Sequence, residues 1–193
     1  MVKAQWLLDE HLTKLTGGKR SGDDAILKKY KEVFEGTGCI KGDYHLETKS
    51  NVQPIKQAPR RIPISLKPEL KQKLDELYRN KIIAKVTYPT DWISNLVLVK
   101  TPNKLRICLD PQNLNSALKR SEYPIPTIEE IMPSLKNAKL FSVVDTKDGF
   151  WNVKLSDDCT DLTTFWTPFG RYKFLRLPFG ICTAFEKYQR RLH

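Results

Sequence analysis

The sequence of 193 residues contains no long hydrophobic run and no clustered cysteines. No stretch approaches the ~20 apolar residues that a membrane span needs, and the N-terminal MVKAQWLLDEHLTKL lacks the apolar centre of a signal peptide. The four cysteines, Cys39, Cys108, Cys159 and Cys182, form no Cys-x-x-Cys pair, and no histidine stands near them in the sequence. These absences argue against a zinc site and against membrane contact, and they predict reduced thiols in the cytoplasm or the nucleus.

Acidic residues are outnumbered by basic ones. Lysine and arginine number 33 against 22 aspartates and glutamates, which gives a net charge of +11 and a pI of about 9.5. Such an excess of positive charge favours contact with a polyanion, and nucleic acid is the first candidate, although a basic solvated surface would have the same balance. A hydrophobic content of 40% permits a real core, and the length suits one domain or one and a half small ones.

The first 64 residues have helical and then extended patterns. Helices are predicted over 5–15 and 24–34, separated by the glycine-rich segment 17–22. Segment 53–64 contains three prolines, so it is predicted to be extended and to cross a surface. Basic side chains stand between these prolines: Lys56, Arg60 and Arg61. They either follow a phosphate backbone or are simply solvated.

Apolar residues recur at three- and four-residue intervals after Ser65, a pattern that predicts a buried helix face, with Ser65 as the cap and Pro68 in the first turn. The apolar residues of this face are Leu66, Leu70, Leu74, Leu77 and Tyr78. Further on, Thr127 and Glu130 form a predicted capping box at the start of a short helix that Pro133 limits.

Two pairs of β-rich segments predict hairpins. Residues 94–100 and 105–110 flank the turn sequence TPNK, and residues 163–166 and 172–177 flank PFGR. In the first hairpin, the period of two puts Arg106 on the face that points away from the apolar layer.

One apolar run ends in a lone carboxylate. The sequence LFSVVDTKDGF over 140–150 is typical of a strand that ends at Asp145, and Phe150 follows five residues later. A buried strand holds such a carboxylate rigidly at the edge of a sheet, where it can bind a divalent metal of a two-metal site. An aspartate that caps a turn and a phenylalanine of the core would give the same pattern.

Four blocks in a fixed order carry a family resemblance. They are PIKQAPRRIPISLKPELKQKLDELYRNKII, NLVLVKTPNKLRICLDPQNLN, YPIPTIEEIMPSLKNAKLFSVVDTKDGFWNVKLSD and TTFWTPFGRYKFLRLPFGICTAFEKYQRRLH. Together they resemble the reverse transcriptase of gypsy-type LTR retrotransposons, a part of the Pol polyprotein, over residues 42–193.

The resemblance implies an α+β fold of fingers plus an incomplete palm, in which helices pack on short antiparallel sheets. It divides the chain into an N-terminal connecting segment (1–50), fingers (51–119), a first part of the palm with the catalytic aspartate (120–152), a second part of the fingers (153–182) and the start of a truncated palm helix (183–193).

The resemblance also assigns chemistry to single residues. It implies an RNA-directed DNA polymerase in which Asp145 bridges two Mg²⁺ (or Mn²⁺) ions and the Thr146 carbonyl is a further ligand. Phe150 matches the aromatic steric gate that excludes a ribose 2′-hydroxyl. Arg106 and Lys100 match the fingers residues that grip the triphosphate of the incoming dNTP. Nucleic-acid contacts are expected at Lys56, Arg60, Arg61 and Gln189.

The sequence departs from the family in two respects. It reads AFEKYQ over 184–189 where the family has Ala-Pro-Glu-Val-Phe-Gln, which puts Lys187 in a helix core, a costly place unless the side chain reaches solvent. The Tyr-x-Asp-Asp motif with its two carboxylates is absent from the 193 residues, as are thumb, RNase H, integrase and aspartic protease motifs.

We therefore expect the chain alone to be inactive. Its expected partners are an RNA or DNA template-primer, dNTP and the rest of the Pol polyprotein. A non-catalytic nucleic-acid-binding module, or a decayed relic of a retroelement, would carry the same motifs.

Overall fold

The computed structural model describes residues 4–5, 28–102, 104–120, 123–124, 126–136, 145–146 and 148–192. Its helices are α1 (Lys31–Phe34), α2 (Lys67–Arg79), α3 (Gln112–Ala117), α4 (Ile128–Leu135) and α5 (Ala184–Leu192). Its strands are β1 (Ala4–Gln5), β2 (Ile83–Val86), β3 (Asn95–Thr101), β4 (Lys104–Asp110), β5 (Asp145–Thr146), β6 (Phe165–Thr167) and β7 (Gly170–Phe174). Segments of 3₁₀ helix span Ile64–Leu66, Gly149–Asn152 and Asp157–Thr163. These helices and short antiparallel sheets confirm the predicted α+β class.

The first predicted hairpin is confirmed, with its ends displaced by one residue. Strands β3 and β4 pair antiparallel from Asn95↔Asp110 to Thr101↔Lys104. Along β4, the leucines and the isoleucine of one face are buried, whereas Arg106 is exposed on the other, as the period of two predicts. Arg106 lies opposite Val99, and Lys100 lies opposite Leu105. Because paired residues share a face, Arg106 and Lys100 point to opposite sides of the hairpin.

A three-stranded antiparallel sheet with the order β2-β7-β6 contains the second predicted hairpin and one strand that was not predicted, β2. The hairpin closes at Thr167↔Gly170, so β7 begins two residues earlier than expected. The reason is Gly170, whose φ of 108° is accessible to glycine and permits the chain to turn back directly after Phe169.

Helix α2 is confirmed, but its predicted cap is wrong. The helix begins at Lys67, and Ser65 lies inside the preceding 3₁₀ turn, in which the Leu66 N–H donates to the Pro63 carbonyl at 3.0 Å. This turn already starts the helical path, so the Ser65 hydroxyl has no helix start to cap. The face formed by Leu70, Leu74 and Leu77 is buried as predicted, whereas Tyr78 is 50% exposed.

The helix predicted over 5–15 is wrong at its first residue. Gln5 belongs to β1, which pairs antiparallel with β5 through Ala4↔Thr146 and Gln5↔Asp145. A tertiary strand pairing therefore overrides the local helical pattern at this residue. The rest of that helix, and residues 140–144 of the strand predicted to end at Asp145, lie outside the described residues. Helix α1 confirms the end of the pattern predicted over 24–34.

The capping box of α4 is confirmed in both directions. The Thr127 N–H donates to the Glu130 carboxylate at 2.8 Å, and the Glu130 N–H donates to the Thr127 hydroxyl at 3.4 Å. Pro133 does not end the helix, which continues to Leu135. Proline removes one N–H donor, and an exposed helix tolerates this because water can bond the freed carbonyl. The helix predicted over 183–193 is confirmed as α5.

A hydrophobic core joins α2, the β3–β4 hairpin and the three-stranded sheet. Leu74 of α2, Phe165 of β6 and Leu109 of β4 are almost completely buried in it, and each such side chain stabilises the fold by about 1.5–3 kcal/mol. Ser94 links hairpin to sheet, since its N–H donates to the Thr164 carbonyl at 2.8 Å. Within the described part of the chain, no helix combines the length and hydrophobicity that a membrane crossing requires.

Candidate active site

A cavity of about 280 Å³ lies between strand β4 and the segment that follows β5. Its lining consists of Lys73, Lys104, Leu105, Arg106, Ile107, Cys108, Thr146, Asp148, Gly149, Trp151 and Phe179. Three of these side chains are cationic and one is a carboxylate, so the lining suits a ligand that carries negative charge.

Arg106 reaches the cavity because β4 is anchored by its other face. Leu105 and Leu109 are 4% and 2% exposed, which fixes the strand on the core and leaves Arg106 and Cys108 on the outer face. Burial raises the pKa of the Cys108 thiol, and the positive charge of Arg106 counteracts part of this rise. Cys108 is therefore a neutral thiol at physiological pH and lacks the thiolate that a nucleophile or metal ligand needs.

Two further cations of the cavity were not predicted, Lys104 and Lys73. The Lys104 ammonium donates to the Asp148 carboxylate at 3.4 Å. Lys104 precedes Arg106 by two positions, so the period-two pattern that assigned Arg106 its face could have identified Lys104 as well. Lys73 comes from α2, where its ammonium contacts both carboxylate oxygens of Glu76 at 2.8 Å, and no local pattern connects it to β4.

Lys100 lies outside this cavity. It occupies the face of the hairpin opposite to Arg106, and its ammonium donates to the Glu69 carboxylate at 2.6 Å. Both side chains are partly exposed, so this pair is an ordinary surface ion pair of small energy.

The segment after β5 brings Thr146, Asp148 and Gly149 to the cavity. For Asp145 the structure describes the backbone, paired with Gln5, and not the side chain. Asp148 follows with a φ of 46°, a left-handed conformation that aspartate adopts more readily than most residues. This turn leads into the 3₁₀ segment, where the Trp151 N–H donates to the Asp148 carbonyl at 2.8 Å.

Phe150 is held in an aromatic cluster next to the cavity. Its ring centroid lies 5.0 Å from that of Phe179 and 5.6 Å from that of Tyr188, the latter edge to face. Gly149 makes room for this packing, since a Cβ there would lie only 3.0 Å from the Tyr188 hydroxyl oxygen. The ring of Phe150 therefore has little freedom to move, as a steric barrier requires.

The basic segment 53–64 runs along the end of the β3–β4 hairpin. The backbone N–H of Arg60 donates to the Asn95 side chain at 3.0 Å, and its guanidinium donates to the Asp110 carboxylate at 3.0 Å. Lys56 and Arg61 are exposed on the same segment. Gln189, the other predicted nucleic-acid contact, is half-buried on α5 and distant in sequence from this segment.

The structure explains how α5 accommodates its unusual residues. Lys187 is half-buried, and its ammonium lies 5.4 Å from the centre of the Tyr44 ring, a cation–π contact that offsets partial desolvation. Phe185 is 52% exposed and so does not disturb the core. Neither departure from the family motif damages the packing of α5.

The fold brings one histidine close to a cysteine that is distant from it in the sequence. Ligand atoms of His45, Asp158 and Cys159 all lie within 4.8 Å of one another. A hydrogen bond from Ser156 lowers the pKa of Asp158, and His45 contributes further. The Cys159 thiol faces the carbonyl oxygens of Tyr44 and Ser156 at 3.5 and 3.3 Å, however, and these contacts suit a protonated thiol better than a metal-bound thiolate.

The described fold matches solved structures of foamy viral protease–reverse transcriptases. It superposes on the protease–reverse transcriptase of prototype foamy virus with a TM-score of 0.73 and 17% sequence identity, over 97% of this chain and 25% of that one. The foamy viral enzyme in complex with an RNA/DNA hybrid superposes with a TM-score of 0.72 and 20% identity, over 98% of this chain and 25% of that one. These likenesses confirm the predicted fold of fingers and partial palm.

Sequence relatives define the family. Residues 97–191 match the family of reverse transcriptases (RNA-dependent DNA polymerases). The chain is 33% identical over 175 residues to the Pol polyprotein of the Drosophila melanogaster transposon opus, covering 86% of this chain and 17% of that protein. It is 32% identical over 145 residues to the Pol polyprotein of transposon 412 from the same organism, covering 72% of this chain and 12% of that protein. The chain belongs to the reverse transcriptase family, in the form found in Pol polyproteins of LTR retrotransposons, and spans a small part of their length.

Proposed function

We propose that this chain supplies the nucleotide-binding surface and the first catalytic carboxylate of an RNA-directed DNA polymerase, encoded by a gypsy-type retrotransposon. The observation that carries the proposal is the cationic cavity, in which Arg106 and Lys104 face the segment that directly follows Asp145. A nucleoside triphosphate carries several negative charges, and guanidinium and ammonium groups are suited to its phosphate oxygens. Reaction takes place in the complete enzyme, by attack of a primer 3′-hydroxyl on the α-phosphate of a dNTP.

The metal-binding part of the proposal rests on donor chemistry. The Asp145 carboxylate and the Thr146 carbonyl offer oxygen ligands, which hard divalent cations prefer, and Thr146 lines the cavity. When two Mg²⁺ or Mn²⁺ ions are bound, they supply the charge that stabilises the attacking and leaving oxygens. One carboxylate provides only part of the ligands that two ions need, so the 193 residues alone are expected to be inactive.

Each remaining site residue has a physical role in this scheme. Arg106 and Lys104 orient the triphosphate from the fingers side. Lys100 points to the opposite side of the hairpin and is held by Glu69, so it would reach the same triphosphate only after it leaves Glu69 and the hairpin rearranges. Phe150, fixed by Phe179 and Tyr188, forms a rigid wall beside the sugar and excludes a 2′-hydroxyl. This wall gives the enzyme its preference for dNTP over ribonucleotides.

Template and primer are proposed to follow the basic segment. Lys56 and Arg61 are exposed and available to phosphates, whereas Arg60 reaches a phosphate only by leaving Asp110. Gln189 would contact the nucleic acid from the palm helix. Solved structures of the foamy viral protease–reverse transcriptase in complex with an RNA/DNA hybrid and with double-stranded DNA support this choice of partner.

The proposed arrangement keeps 51–119 and 153–182 as fingers and 120–152 and 183–193 as palm, behind a connecting segment, 1–50. The other parts of the Pol polyprotein are its proposed covalent partners, in the cytoplasm or the nucleus.

Calorimetric binding of Mg²⁺–dTTP to the 193-residue chain tests the site without catalysis. Arg106→Ala should weaken binding tenfold or more, because a hydrogen bond to a charged group contributes about 1.5–3 kcal/mol. Lys85→Ala is the matched control, since Lys85 is exposed on β2 and lies outside the cavity lining. Equal affinities for the two variants would contradict the proposed triphosphate site.

A further inference from the structure

Tyr188 connects helix α5 to the Phe150 ring. Helix α5 packs against the 3₁₀ segment Gly149–Asn152. Tyr188 is 9% exposed, and its ring meets the Phe150 ring at an interplanar angle of 83°, with centroids 5.6 Å apart. A Cβ at Gly149 would lie 3.1 Å from the ring carbon Cζ of Tyr188. Tyr188 therefore packs on both the backbone and the aromatic side chain of this segment.

Tyr188 supports Phe150 from inside the protein. Among the described residues, the lining of the cavity includes Gly149, Trp151 and Phe179 but not Tyr188. Phe179 also contacts the Phe150 ring, but its replacement would alter the cavity wall directly. Tyr188 can affect a ligand in the cavity only through the residues that lie between them.

A steric barrier excludes an atom only if the barrier cannot retreat. Protein interiors are close-packed, so a ring whose neighbours fill the space around it has no room to yield. Leucine at position 188 would leave part of the tyrosine volume empty beside the Phe150 ring. The ring could then move into this gap when a ribonucleotide presents its 2′-hydroxyl.

We propose that Tyr188 is a positioning residue for sugar discrimination, whose ring holds Phe150 against the 2′ position of the incoming nucleotide. This assignment rests on the proposed role of Phe150 as the steric barrier. It extends that role to a residue of α5 that does not touch the nucleotide.

The ring of Tyr188 carries this role, and its hydroxyl does not. In the part of the chain that the structure describes, the Tyr188 hydroxyl is buried without a hydrogen-bond partner. Tyr188→Phe removes this unpaired polar group and keeps the ring, so its Tm should equal or exceed that of wild type. The same variant should keep the wild-type discrimination between sugars.

The test measures kcat/KM for dTTP and for UTP in a complete polymerase, in which residues 42–193 replace the matching part of the reverse transcriptase of transposon 412. Tyr188→Leu should lower the dTTP-to-UTP ratio about three- to tenfold, the range that loss of one aromatic contact corresponds to. Tyr188→Met fills more of the space with an unbranched side chain and is a second variant with a decrease in the same direction. Tyr188→Phe should restore the wild-type ratio.

Phe185→Leu is the matched control, because it replaces an aromatic residue of the same helix that is 52% exposed. It should leave the dTTP-to-UTP ratio unchanged. A merely structural role of Tyr188 would lower kcat/KM for both nucleotides by the same factor. An unchanged ratio in Tyr188→Leu and Tyr188→Met would therefore overturn the proposal.

A double-mutant cycle tests whether Tyr188 acts through Phe150. When Phe150→Ala is already present, Tyr188→Leu should change the ratio no further, since no ring remains to be held. A full additional decrease in this background would overturn the assignment of Tyr188 to the support of Phe150.

Failure of the proposed function gives a different result. If Phe150→Ala leaves the dTTP-to-UTP ratio unchanged, Phe150 is not the barrier and the role of Tyr188 falls with it. If Phe150→Ala lowers the ratio and neither Tyr188→Leu nor Tyr188→Met does, the barrier stands and the role of Tyr188 alone is refuted.

Discussion

Gly180 is expected to be the least replaceable glycine of the described residues, and Gly170 provides its matched control. Both have a φ of 108°, so alanine at either position is strained by the same backbone conformation. They differ in surroundings. A Cβ at Gly170 meets no atom within 4 Å, whereas a Cβ at Gly180 would lie 2.1 Å from the Leu109 carbonyl oxygen.

The strain at Gly170→Ala is about 1–2 kcal/mol, and reduced freedom of the unfolded chain returns about 0.4–1 kcal/mol. The net loss is therefore about 1 kcal/mol. Gly180→Ala carries the same backbone strain and adds a clash between the new Cβ and the Leu109 carbonyl oxygen. This oxygen belongs to the backbone and cannot rotate away. Relief requires separating Phe179 and Gly180 from the hairpin and so weakens two hydrogen bonds, Leu109 N–H to the Phe179 carbonyl at 3.0 Å and Asn115 to the Gly180 carbonyl at 2.9 Å.

The backbone strain, the clash and the two weakened hydrogen bonds together should lower the free energy of unfolding by about 3–5 kcal/mol in Gly180→Ala. In a domain of this size each kcal/mol lowers Tm by about 2–4 °C, so scanning calorimetry should give a decrease of roughly 10 °C for Gly180→Ala and roughly 3 °C for Gly170→Ala. Phe179 lines the cavity, so Gly180→Ala should also weaken dTTP binding. Equal Tm values for the two variants would refute the inferred close approach of Gly180 to β4.

Three other outcomes are expected. In a complete polymerase, Phe150→Ala should admit ribonucleotides, measured as the ratio of kcat/KM for dTTP and UTP, while dTTP incorporation continues. Binding of single-stranded DNA, followed by fluorescence anisotropy, should fall by orders of magnitude between about 50 and 200 mM salt, and Lys56→Ala with Arg61→Ala should flatten this dependence. Alkylation of Cys108 should require more alkaline conditions than alkylation of an ordinary thiol, because burial raises the pKa of Cys108. Arg106→Ala removes the neighbouring positive charge and should shift the reaction to still higher pH. Mass spectrometry of the digested protein measures both effects.

Features governed by local periodicity were predictable from the sequence. The β3–β4 hairpin, the outer face that carries Arg106 and the capping box of α4 all depend on residues close together in the chain. The pattern around Gly170 indicated a turn but not its closure at Thr167↔Gly170, because the registers of both neighbouring strands contribute to that choice.

Features that depend on distant residues were missed. Strand β2 has only four residues, and its partner β7 follows more than eighty positions later, so no local signal identifies it. Lys73 joins the cavity from another helix, and His45 approaches Cys159 only through tertiary packing. Likewise, Tyr188 meets Phe150 only because α5 packs against the 3₁₀ segment, a contact that no local pattern indicates.

The decisive measurement is templated primer extension by a chimera in which residues 42–193 replace the matching part of the reverse transcriptase of transposon 412. We expect primer extension with Mg²⁺ or Mn²⁺. Asp145→Asn should abolish it, because this change neutralises the carboxylate that would hold the metal ions. The control Asp157→Asn should retain extension, because it neutralises an exposed acid outside the cavity lining. The 193 residues alone should extend no primer. Undiminished extension by the Asp145→Asn chimera, or extension by the isolated chain that Asp145→Asn abolishes, would contradict the assignment of this chain as one part of a two-metal polymerase site.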